Sequence, residues 1–151
     1  LIIPGVLVIS TMVMILTFGP DKATGEFTGA AKEGVELLPW IGEKLSFILQ
    51  PLFGFQSPEA ISVPITALGA AGAAITVAKD LLVTGLANTH DIAVFTAMCM
   101  CWSGYLSTHV AMMDSLKCSY LTGVAILCHT VGGIVAGVFA NWVYHLITLI
   151  L

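Results

Sequence analysis

The chain has 151 residues, of which 58% are hydrophobic and 9% charged, and its mean hydropathy is +0.99. Soluble domains run to roughly 45–50% apolar and 25% charged residues, so this is the composition of a membrane protein. The five cations are all lysine (Lys22, Lys32, Lys44, Lys79 and Lys117) and the formal net charge is −4, which excludes the basic surface that a nucleic acid requires of a partner.

Residues 1–18, LIIPGVLVISTMVMILTF, carry no charge and would rise about 27 Å as a helix, close to the thickness of a bilayer's hydrocarbon core. A transmembrane helix is expected there. The chain starts at Leu1 rather than methionine, so residues before it are expected, and no basic region or small-residue cleavage site marks a signal peptide. Residues 19–57 turn polar and are expected to lie on the membrane surface. One amphipathic helix would place Phe27, Ala30, Ala31, Gly34, Val35 and Leu38 on one face and Glu26, Lys32, Glu33 and Glu36 on the other. A second, over 41–53, would turn Ile41, Leu45, Ile48, Leu49 and Leu52 inward and end at the turn signal QSP of 56–58.

Residues 58–87 are long enough to cross a bilayer but contain GAAGAA at 69–74 and the charges Lys79 and Asp80. Glycine costs a helix interior about 1 kcal/mol, and a charge at the bilayer centre about 2.5–3.5 kcal/mol. A re-entrant hairpin with its tip at 69–74 is therefore expected, with Lys79 and Asp80 paired or reaching water on the returning arm. Asn88, Thr89 and His90 read as a turn and cap. The stretch 91–117 repeats the arrangement as a second broken hairpin, two arms of about 15 Å around the polar group SGYLSTH of 103–109. Consecutive interrupted segments point to a transporter's binding site, because broken helices expose half-helix ends and free carbonyls to a solute. The last segment, 119–150, is expected to be a long transmembrane helix whose Gly123, Gly133, Gly137 and Ala140 permit close helix approach.

The candidate solute-binding residues are Ser103, Gly104, Tyr105, Ser107, Thr108 and His109 in the polar group, Gly69 and Gly72 at the hairpin tip, and His129 on the last helix. Ser107 and Thr108 read equally as caps of the returning arm, and His129 as an interhelical hydrogen-bonding residue or a proton relay. Asp114 reads as an interfacial acid. Cys99, Cys101, Cys118 and Cys128 all lie in apolar segments and Cys-x-Cys is not a zinc-knuckle spacing, so they are expected to be small buried hydrophobes. No nucleophile, base and acid stand at recognisable spacing, so no enzyme is expected.

Taken in order, IIP and its apolar helix at 2–18, LSFILQPLFGFQSPEA at 45–60, TALGAAGAA at 66–74, GLANTHDIAVFTAMCM at 85–100 with WSGYLSTH after it, and the final helix resemble the Gate, or nucleoside-recognition, domain family of small bacterial membrane proteins. Spore maturation protein B belongs to that family, and related Gate halves are repeated in concentrative nucleoside transporters and ferrous iron transporter B. The family's usual amphipathic helix before the IIP segment is missing here, and residues 20–40 look like an insertion.

The resemblance implies a single Gate-type domain over 1–151. Its fold would be an all-α membrane protein, with transmembrane helices, two broken or re-entrant helical hairpins and amphipathic interfacial helices. It implies a multi-pass protein of the bacterial inner membrane acting as half of a transport unit for a nucleoside-like or amino-acid-like solute. The unit would be completed as a homodimer, giving an inverted repeat, or as a heteromer with a second Gate protein. No cofactor is implied beyond a coupling ion such as sodium or a proton. The alternative is a membrane assembly or regulatory subunit that transports nothing itself.

Overall fold

The computed structural model describes residues 7–8, 11–12, 15–16, 18–20, 24–29, 33–69 and 71–151, with residues 106–108 as backbone only. Every regular element among them is helical: α1 (Leu37–Lys44), α2 (Ser46–Phe53), α3 (Ser62–Gly69), α4 (Ala71–Val83), α5 (Thr89–Cys101), α6 (Ala111–Ser115) and α7 (Thr122–Ile150). Short 3₁₀ turns at Pro58–Ile61 and Ser119–Leu121 and a π turn at Tyr105–Val110 join them. Residues 7–8, 11–12 and 15–16 are helical and mostly exposed; the rest of the expected crossing over 1–18, apart from Phe18, lies outside the described residues.

The amphipathic helix expected before residue 40 does not form over 24–29 or 33–36, which are turn, bend and irregular backbone. Gly25 and Gly29 both take positive φ, and the Glu33 carboxylate accepts from the amides of Thr28 and Gly29 and from the Thr28 hydroxyl. A periodic face is thus overruled by two glycines and a local side-chain cap, both of which favour a loop. Gly34 is pressed against the Ile15 carbonyl, and the Val35 amide donates to it at 2.7 Å. The single helix expected over 41–53 is two, α1 and α2, parting at Leu45. Gly42 seats α1 against the Pro58 carbonyl while Phe53 carries α2 onto Gly137 of α7, and one straight rod does not serve both docking directions. Leu49 and Leu52 pack on the core as expected, whereas Leu45 and Ile48 stay exposed.

Helices α3 and α4 fold back on each other across residue 70. The mouth of this hairpin is closed by the Ser57 hydroxyl donating to the Leu86 carbonyl at 2.8 Å and the Gln56 side chain donating from Nε2 to the Gly85 carbonyl at 3.2 Å. Val63 and Ala67 from one arm and Ala74, Val77 and Leu81 from the other are buried together. Buried Thr66 returns its hydroxyl to the Ser62 carbonyl, so the polar side chain costs little there.

Helix α5 runs antiparallel to α7. His90 meets Asn141, Met98 lies over Gly137 and Trp102 over Gly133. Past the break at 102–104 the progression continues, Tyr105 reaching Thr130 and His109 reaching His129. Residues 91–117 are therefore not a hairpin. The second arm carries on in the direction of the first, because Met98 to His109 advances along α7 from residue 137 to 129, about 12 Å at 1.5 Å per residue. The α3/α4 hairpin runs only as far as this break before turning back, since the Gly104 amide donates to the Ala67 carbonyl at 2.9 Å.

Ser119–Ile150 is the one helix among the described residues that is long and apolar enough to cross a membrane. Gly133 and Gly137 are buried against this chain's own Trp102, Met98 and Phe53, while Gly123 faces open space. The close approach their spacing promises is thus spent inside the chain. A Cβ at Gly133 would stand 2.1 Å from Trp102 Nε1. Gly133→Val should displace the indole, break its hydrogen bond to the Thr130 carbonyl and cost about 1–3 kcal/mol, read as earlier thermal unfolding in detergent; Gly123→Val should leave the transition in place.

Candidate functional site

The α5/α7 seam holds two buried polar clusters. The first surrounds the start of α5, where Asn88 and Asp91 form a capping box: the Asp91 amide donates to Asn88 Oδ1 at 3.0 Å and the Asn88 amide to Asp91 Oδ2 at 2.9 Å. Two amides that a helix start leaves unpaired are satisfied in this way. Asp91 is fully buried, and its other oxygen accepts from the Gln56 amide at 3.2 Å and lies 3.5 Å from His90 Nδ1. Asn141 donates from Nδ2 to the Leu52 carbonyl at 3.1 Å, so its Oδ1 is the acceptor and His90 Nε2, 2.8 Å away, carries the proton. The His90 ring also meets Tyr144 edge-on at 5.0 Å and His145 at 5.2 Å. Gly54, at φ +67°, passes against both His90 and Asn141, where a Cβ would lie 2.8 Å from Asn141 Oδ1; only glycine combines that backbone with that space. An open groove of about 860 Å³ runs beside Asn141 between α2 and α7.

The second cluster lies at the break. The Trp102 indole donates to the Thr130 carbonyl at 3.1 Å. Thr130 gives its own hydroxyl proton to the Ile126 carbonyl, so the Tyr105 hydroxyl, 3.0 Å away, donates to it. His109 Nε2 faces His129 Nδ1 at hydrogen-bonding range, and the Tyr105 ring stands edge-on to His109 at 4.9 Å. His109 is only 2% exposed. Its Nδ1 is buried without a hydrogen-bond partner among the described residues.

Of the candidate residues, the fold brings Gly104, Tyr105, His109 and His129 together. Ser103 is half-buried beside them. Ser107 and Thr108 lie in the backbone of the π turn, and their side chains fall outside the described residues. Gly69 ends α3 next to the junction, but Gly72 is exposed with open space around it. No group of three histidine, cysteine or acidic side chains among the described residues could hold a metal, and all four cysteines are free. Lys79 is exposed and Asp80 half-buried on the returning arm.

Sequence reasoning read Asn88–His90 as a turn and cap but did not connect His90 with Asn141 or recognise Asp91 as buried. The box spacing was legible in Asn88-x-x-Asp91, whereas the His90 contact spans 51 residues and has no local signal.

No protein-family model matches this chain, and comparison with characterised proteins and with solved structures finds no match.

Replacing Asn141 with leucine should leave the His90 Nε2–H and the Leu52 carbonyl unpaired, each costing about 1–3 kcal/mol. Removing the cap with Asn88→Ala should cost less, about 0.5–2 kcal/mol. Denaturant unfolding of the two variants in detergent, followed by circular dichroism, checks the order; an Asn141→Leu variant as stable as the parent would deny the node its structural weight.

Proposed function

We propose that this chain is a multi-pass bacterial membrane protein and one half of a transport unit, moving a small polar solute, nucleoside-like or amino-acid-like, by alternating access around its two interrupted segments. The observation that carries this reading is the hydrogen bond between Gly104 and Ala67, which joins the break in one segment to the turning end of the other. Interrupted helices at bilayer depth are tolerated where protein buries them or a wet cavity receives their polar groups, and paired interruptions are where secondary transporters hold their solutes. On this reading α7 and the broken run from α5 to α6 are crossings and the α3/α4 hairpin is re-entrant. The polar side chains beside the junction, Tyr105, His109, His129 and Thr130, are the solute's nearest partners. The order of segments resembling Gate halves points the same way. Val124, Leu127, Val131, Val135 and Phe139 leave an apolar face of α7 exposed, suited to lipid or to the second half of the unit, whether a copy of this chain or a related one.

A second reading, a subunit that only assembles or regulates, is favoured by one fact: Tyr105 and Trp102 spend their polar groups on α7 within the chain. Thermal stabilisation by uridine, adenosine and the common amino acids, with uptake of any stabilising compound into proteoliposomes, separates the two. Transport predicts at least one stabilising solute, and Tyr105→Phe should weaken its binding about two- to tenfold, the worth of one neutral hydrogen bond, while Ser46→Ala on α2 leaves it unchanged. Neither stabilisation nor uptake across that panel would leave the assembly reading standing.

A further inference from the structure

The His109–His129 contact has a proton-counting property that no other contact in the seam shares among the described residues. His109 Nε2 and His129 Nδ1 point at each other, so one proton between them makes a donor and an acceptor. The rings cross at 88° with centroids 4.4 Å apart. His109 is 2% exposed and its second nitrogen, Nδ1, has no hydrogen-bond partner among the described residues. The turn that carries it, Tyr105–Val110, is π-helical, a geometry frequent at functional sites.

We propose that His109 and His129 form a site for a single proton, and that entry of a second proton parts the π turn from α7. The pair begins as two neutral imidazoles with one N–H between the rings. One added proton, taken from solvent, leaves the central hydrogen bond intact and gives His109 Nδ1 a hydrogen to direct at the Gly104 carbonyl. A further proton places two N–H groups face to face with no acceptor between them, and the rings must separate. Of the titratable groups around the pair, Tyr105 contacts the His109 ring from the same turn. Helix α3, packed on that turn, contributes none over 62–69. Cys128 is exposed, Cys101 lies beside Gly132, and the Asp114 carboxylate is engaged by the Ser119 hydroxyl. The pair's use as the coupling-proton site of a transporter rests on the function proposed above; the proton site does not.

The rings sit one residue from Thr130, whose carbonyl holds the Trp102 indole, so parting them should be visible at that tryptophan. The test uses the full chain in nanodiscs, with no solute present. Nitrogen-15 labelling of histidine should show a scalar coupling across the hydrogen bond between one nitrogen of His109 and one of His129. On acidification that coupling should vanish together with a change in Trp102 emission, recorded in a Trp40→Phe, Trp142→Phe background. His129→Gln and His109→Gln should each abolish both signals. Two rings that titrate independently without coupling, or Trp102 emission that changes equally without either histidine, would overturn the site. Should the variants fail to fold, the presence or absence of the coupling in the unsubstituted chain decides. Solute uptake that keeps its pH dependence in both variants would overturn the coupling role and leave transport standing, whereas absent uptake with an intact nitrogen coupling would retire the transport reading alone.

Discussion

Asp91, buried to zero exposure, draws the Gln56 and Asn88 amides onto its carboxylate and lies beside His90. A carboxylate is costly to bury unless its oxygens are hydrogen-bonded, and here each oxygen takes a backbone amide from a different part of the chain. Gln56 stands at the hairpin mouth and Asn88 begins α5, so the same side chain that caps α5 also sets the hairpin beside it. With α5 started at that point, His90 faces Asn141, and Asn141 in turn holds the final turn of α2 through the Leu52 carbonyl. Three helices and the hairpin thus take their relative positions from one end of the seam.

That registration propagates along α5 and α7. Met98 falls on Gly137 and Trp102 on Gly133 because the helices have already been aligned at His90, and small residues at these points let the helices close without relying on a hydrophobic drive that lipid would not supply. Beyond Trp102 the regular helix gives way, and the chain recovers its hydrogen bonding through unlike partners: an indole and a phenol on Thr130, an amide on Ala67, an imidazole on His129. Fully partnered polar groups specify a single arrangement, and an unpaired buried one is costly. His109 is the half-partnered member, and the proposed proton chemistry follows from its position between a π turn and a straight helix.

The exposed side of α7 completes the picture of a chain whose apolar surface is unevenly used. One face is spent on glycine contacts within the chain, while Val131, Val135, Phe139 and Trp142 remain at 53–69% exposure. Such a face is unfavourable in water and neutral in lipid or against a second subunit, which is why the composition and the fold support the same proposed environment.

Composition, helix periods and punctuation were enough to read an all-helical chain and a long apolar helix over 119–150 that begins in the structure at Ser119, whereas the hairpin tip expected over 69–74 is narrower, since Gly69 ends α3 and 71–74 already belong to α4. They also read the Asn88 cap, a break within SGYLSTH at 103–109 and, among the small residues of the last helix, the close packing of Gly133 and Gly137 though not of Gly123. These are local properties: a residue's propensity, its charge or the absence of a side chain acts on its immediate neighbours. The same local reasoning erred where two local signals competed, as at 24–29, where left-handed glycines and the Glu33 cap prevailed over an amphipathic period. It also erred at 91–117, because a broken segment that folds back and one that runs on have the same sequence pattern. Only docking against α7 decided between them, by giving Tyr105 and His109 partners further along that helix. The meeting of His90 with Asn141, of Gly104 with Ala67 and of His109 with His129 was likewise settled by tertiary structure, since hydrogen bonds between residues 20 to 51 positions apart depend on helix register and leave no period in the chain.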